Sequence, residues 1–127
     1  MPNEITVTMS MSASKNGASI NSVGATGPAS STYTMTGNNM VGGTQLLATA
    51  GATVALDLGS VSPPYRAQIY NLSGGVVNID NATPVPSPSM VELAVGDECF
   101  LVVPTGVTIY LKPAVNNSLV YVAIAEK

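Results

Sequence analysis

The chain has no histidine, no tryptophan, one phenylalanine and one cysteine in 127 residues. Without histidine, the imidazole that serves most general bases, nucleophile-activating pairs and transition-metal sites is missing. A single cysteine cannot close an internal disulfide, so stability does not come from crosslinks. Cys99 sits in the apolar run Glu98-Cys-Phe-Leu-Val-Val103 and reads as a small buried hydrophobe. Charge is equally scarce. Only 9% of residues are Asp, Glu, Lys or Arg, against roughly 25% in an average globular domain. The four basic residues, Lys15, Arg66, Lys112 and Lys127, are too few and dispersed to neutralise a run of phosphates. Five tyrosines offer little to stack bases on, so no nucleic-acid partner is expected. No run approaches the ~20 apolar residues of a membrane helix, and no membrane partner is expected. The start, Met1-Pro-Asn-Glu-Ile-Thr-Val7, lacks the basic and apolar regions of a secretory leader, so synthesis in the cytoplasm is expected.

The acids carry no catalytic pattern. They are Glu4, Asp57, Asp80, Glu92, Asp97, Glu98 and Glu126, with Asp97-Glu98 the one adjacent pair. Neighbours on a strand point to opposite faces, and after Gly96 this pair reads as a solvated turn. A calcium loop needs several oxygen ligands together, which Asp80-Asn81 alone does not supply. No nucleophile elbow or phosphate-cradling glycine motif occurs. The expectation is a protein that is not an enzyme and holds no cofactor or metal.

What is present is small, polar and patterned for strands. Hydrophobic residues make up 46% of the chain, and Ser, Thr, Asn, Gly and Ala fill the places charge leaves empty. A free monomer usually keeps more charge on its surface. This composition suits a surface occupied by neighbours. Ile5, Val7, Met9 and Met11 alternate with Thr and Ser in an amphipathic strand. Residues 13–31 are rich in Gly, Ser, Asn and Ala without a steady period, which predicts a pliable arm or a segment ordered by packing on something else. Residues 1–40 are therefore expected as an N-terminal strand and arm making contact between subunits, and residues 41–127 as a β-sandwich domain.

The clearest patterning lies at 42–79. Val54, Leu56 and Leu58 face one way; Ala67, Ile69 and Asn71 alternate with Arg66, Gln68, Tyr70 and Leu72. Further strands are predicted near 33–36, 44–49, 76–79, 90–95, 98–103, 107–112 and 119–125, separated by turn residues such as Gly96-Asp97 and Asn116-Asn117. Such spacing predicts an all-β sandwich or barrel. The prolines at 84, 86 and 88 predict a stiff, extended crossover between halves of the sandwich. Tyr65, Tyr70, Tyr110 and Tyr121, read as lying on different strands, could each anchor an interface or stack on a sugar.

Several stretches, in this order and spacing, resemble small capsid decoration or cement proteins of tailed bacteriophages. They are Ile5-Thr-Val-Thr8, Gly42-Gly-Thr-Gln45, Leu56-Asp-Leu-Gly59 before a Ser-Pro loop, Gln68-Ile-Tyr-Asn-Leu72, Leu93-Ala-Val-Gly-Asp-Glu98 and Ile109-Tyr-Leu-Lys112. The resemblance covers most of residues 42–127. It departs where relatives carry an aromatic-rich loop, since this chain has Gly74-Gly75 and then Pro84–Pro88. It implies a jelly-roll-like antiparallel β-sandwich, a homotrimer, seated on the major capsid protein lattice at the surface of the phage head. The contact parts it implies are the arm, with Ile5, Val7, Met9 and Met11, and the loops carrying Pro63, Tyr65, Pro84 and Pro86. A tail-fibre, head-fibre or carbohydrate-binding receptor module is the alternative.

Overall fold

The structure, a computed structural model, describes residues 40–126 in full and, before them, the backbone strands within residues 4–34. The chain divides into two compact units, Met1–Thr36 and Gly37–Lys127.

The first unit contains β1 (Glu4–Met9), β2 (Ser12–Lys15), β3 (Ala18–Asn21), β4 (Val23–Gly24) and β5 (Gly27–Thr34). β1 pairs antiparallel with β5, from Glu4 opposite Thr34 to Met9 opposite Ala29. β4 pairs with the start of β5, and β2 with β3. Composition predicts a pliable linker over 13–31, but the backbone there pairs locally. Short-range hairpins satisfy backbone groups at little loop-closure entropy, so such pairing needs less apolar burial than an isolated strand.

The second unit carries β6 (Met40–Leu47), β7 (Val54–Ala55), β8 (Pro64–Ser73), β9 (Val77–Asp80), β10 (Val91–Leu93), β11 (Glu98–Val102), β12 (Tyr110–Pro113) and β13 (Ser118–Glu126). Two antiparallel four-stranded sheets result, with strand orders β11-β8-β13-β6 and β10-β9-β12-β7. Every connection changes sheet except that from β9 to β10. Among the described residues there is no helix, and the fold is an all-β arrangement of two sheets over one core, as in a β-sandwich.

Period-two patterning explains the core directly. Leu47, Ile69 and Val120 from one sheet and Val77, Ile79 and Leu111 from the other are fully buried in one cluster. Each such aliphatic contributes about 1.5–3 kcal/mol relative to exposure. The alternation expected in β8 holds: Ala67, Ile69 and Asn71 are buried, while Arg66, Gln68 and Tyr70 are half-buried on the other side. Thr53–Leu58, expected as a full strand, pairs only over β7, two residues opposite Tyr110 and Leu111. Leu56 is nevertheless buried, its N–H donating to Ile109 O at 2.8 Å.

One end of this unit is held by strong local geometry. Asn71 is fully buried at the end of β8. Its Nδ2 donates to Gly75 O at 2.8 Å and to Leu93 O at 2.9 Å. Its backbone N–H donates to Asp97 O, and Gly96 N–H donates to Asn71 O. Asn71 therefore ties the end of β8 to the turn at Gly75, the end of β10 and the turn at Gly96-Asp97. Beside it, Gly74 has φ 103, and a Cβ there would stand 2.5 Å from Ser118 Oγ and 2.7 Å from Ser118 Cα. Only glycine fits that close approach.

Candidate interaction surface

The two sheets differ in what lies over their outer faces. On the β10-β9-β12-β7 sheet, the proline-rich segment between β9 and β10 folds back on its own sheet. Asp80 closes its base: Oδ1 accepts Ala82 N–H at 3.0 Å and Oδ2 accepts Met90 N–H at 2.8 Å. Ser89 Oγ donates to Asn78 Oδ1, on the outward-facing side of β9. In mid-segment, Val85 N–H donates to Thr53 Oγ1 at 3.1 Å, and Val85 is buried. The expected extended crossover is therefore a fastened loop within one sheet. Its lone buried valine replaces the periodic pattern that would have revealed it.

The β11-β8-β13-β6 sheet has no such cover from the described loops. Alternation and register place its outward residues in rows. Val102, Arg66, Ala125 and Met40 form one row; Phe100, Gln68, Ala123 and Gly42 form the next. A third holds Glu98, Tyr70, Tyr121 and Thr44, followed by Leu72, Leu119 and Leu46 towards the Asn71 end. Met40 is 62% exposed, Leu46 58%, Val102 53% and Tyr121 40%. For an outer sheet face this is unusually apolar. Antiparallel sheets that face water on one side normally alternate hydrophobic-in with polar-out.

Local chemistry shapes this face. The Tyr121 ring reaches across to β6, where a Cβ on Gly42 would stand 3.0 Å from its hydroxyl. Glycine thus makes room for the phenol, which covers a strand left bare of side chain. Next to it, Gln68 Nε2 donates to Glu98 Oε2 at 2.8 Å. That bond holds the carboxylate down against its neighbouring strand. Beneath the face, the Cys99 thiol is half-buried, and burial pushes its pKa up to about 11, with Glu98 adding in the same direction. Such a thiol stays protonated at neutral pH and is a poor nucleophile.

The residues singled out from sequence fall in different places. Ile5, Val7 and Met9 lie on β1 opposite Tyr33, Ser31 and Ala29, and Met11 lies outside the described residues. Pro63, Pro84 and Pro86 are exposed, on loops each fastened by one buried valine, Val61 and Val85. Tyr65 is half-buried, with the Arg66 guanidinium 4.9 Å from its ring centre. Tyr65 and Tyr70, expected on separate strands, share β8, because that strand begins at Pro64 and runs unbroken to Ser73. Tyr70 and Tyr121 are brought together as a cross-strand pair. Sequence reading missed the open sheet face, although its signal was present: Leu119–Ala125 is apolar without alternation, the mark of a strand covered on both sides.

Compared with known proteins, the chain matches no family model, no curated protein and no solved structure.

Proposed function

We propose that this chain is a structural protein of a virus particle: a decoration or cement protein that binds the assembled head of a tailed bacteriophage as a homo-oligomer. The observation that carries the reading is strand order. Counting β6 to β13 as first to eighth, the sheets run sixth-third-eighth-first and fifth-fourth-seventh-second. That order supports reading the domain as a jelly roll, an architecture of viral capsid and lectin domains. It agrees with the fold implied by the sequence resemblance, which also implies three copies and a seat on the major capsid protein lattice.

The mechanism is mass action. An oligomer that binds the closed shell and not its free subunits stabilises the shell. Contacts modest in each copy add across the oligomer through effective concentration. No side chain needs to act chemically. The exposed, fastened loops with Pro63 and with Pro84 and Pro86 suit such contact, since little of their freedom remains to be lost on binding. The direct test adds purified protein to heads that lack it and follows DNA release on heating. A raised release temperature that saturates at a fixed ratio to shell subunits is expected. No binding to the shell overturns the reading.

A second reading has one observation in its favour. Tyr121 over Gly42, beside Tyr70 and the Gln68–Glu98 pair, offers an aromatic platform next to hydrogen-bonding groups. A carbohydrate-binding receptor module would use such a platform, and tyrosine fluorescence quenched by glycans is its signature.

A further inference from the structure

We propose that the open face of the β11-β8-β13-β6 sheet is where copies of this chain meet. The inference rests on the self-association in the proposed function, names its surface, and takes the contact as a two-fold, face-to-face pairing in place of the three copies the resemblance implies.

Four observations carry it. First, β13 contains Leu119-Val-Tyr-Val-Ala-Ile-Ala125 and β11 contains Cys99-Phe-Leu-Val102, runs without polar interruption. A strand solvated on one side alternates, whereas a strand covered on both sides does not. Second, the partner sheet carries its own loop fastened at Thr53, Asn78 and Asp80, whereas among the described residues no loop is fastened over this face. Third, the area fits. Four strands ~4.8 Å apart and about seven residues at ~3.4 Å each span roughly 300–400 Å² in plan. Two such faces give roughly 600–800 Å² in plan, and the relief of the side chains raises the accessible area they bury towards the ~1,200 Å² at which stable interfaces begin.

Fourth, the charge on the face selects the partner. Its charged side chains are Arg66 and Glu98, one of each sign. Copies brought together there do not repel. A strongly acidic or basic partner, such as nucleic acid or an anionic membrane, finds no net attraction. An apolar face with little charge is also the composition of permanent interfaces between identical chains rather than of transient ones. Tyr121, central and anchored over Gly42, is the expected hot spot.

The test measures molar mass by sedimentation equilibrium for the full chain and for Tyr121→Glu and Leu46→Glu, with Pro86→Glu on the covered sheet as control. Wild type and the control are expected to be multimeric. Each face variant should weaken association by at least roughly 30-fold, with the β-sheet circular dichroism retained. If a glutamate variant does not fold, the milder Tyr121→Ser and Tyr121 nitration in the wild type decide instead. Nitration should fall as protein concentration rises through the association range. A monomeric wild type, a multimer indifferent to both face variants, or nitration independent of concentration overturns the proposal. Shell binding by a monomer would sink this inference and leave the virion reading standing. A multimer built on this face that ignores shells would do the reverse.

Discussion

Replacing Asn71 by Ala isolates the polar tie at the end of β8. The side chain is fully buried, and its Nδ2 is the donor to both Gly75 O and Leu93 O. Alanine removes both bonds and leaves two carbonyl oxygens facing a small void. An orphaned buried polar group costs about 1–3 kcal/mol, so the loss should total about 2–5 kcal/mol. For a protein of this size that corresponds to a fall in Tm of roughly 10–20 °C. The backbone bonds to Asp97 and Gly96 survive the substitution, so the fold should persist with a lower midpoint. Thermal unfolding by circular dichroism, at one fixed protomer concentration because association shifts Tm, measures this. Asn71→Asp adds a second arm. Facing two carbonyls in a buried site, the carboxyl is pushed above its unfolded value, since only its protonated form can donate. Stability should then be greatest below the unfolded carboxylate pKa and fall as pH rises through the folded one. A Tm within about 3 °C of wild type for Asn71→Ala, well below the 2 kcal/mol lower bound, would refute the role given to this amide.

Three further outcomes follow from the same geometry. Gly74→Ala places a Cβ against the Ser118 backbone at a positive φ and should destabilise by about 2–4 kcal/mol, read as a lower denaturation midpoint; an unchanged midpoint contradicts the close approach. Asp80→Ala frees Ala82 N–H and Met90 N–H, so limited proteolysis should begin within 81–90 at rates well above wild type, and equal rates would show that the loop is not fastened there. Cys99, with its pKa raised from 9.0 to about 11 by burial, should resist thiol reagents at pH 8 until the chain is denatured. The sign of its linkage is that the thiol's contribution to stability is full below pH 9 and is lost as pH rises towards 11; prompt native labelling contradicts the burial.

Where a strand alternates and stays local, its place was readable from sequence. β8 is the clearest case, because Ala67, Ile69 and Asn71 alternate with Arg66, Gln68, Tyr70 and Leu72 and all three are buried. The strands after residue 90 also lie within a few residues of their expected spans, since turn residues punctuate them. Elsewhere the deciding partner is distant in sequence. Val54–Ala55 is a strand only because β12 lies alongside it. Val85 is buried where Thr53, just before β7 and distant in sequence, accepts its N–H. In the first unit, Lys15 pairs with Ala18, and the intervening Asn16-Gly17 is a strong hairpin signal in sequence that the Ser- and Gly-rich surroundings obscured. The candidate surface was the least legible part. Its residues are ordinary hydrophobes in ordinary strands, and register alone, pairing Tyr121 with Tyr70 and setting Met40 beside Ala125, gathers them on one face.

Membership of a virus particle is tested most directly by the number of copies per purified particle. Quantitative mass spectrometry against the major capsid protein provides it. Many copies in a simple integer ratio to the shell subunit are expected. A handful of copies would assign the chain to a tail or vertex appendage, and absence from the particle would contradict a virion role altogether.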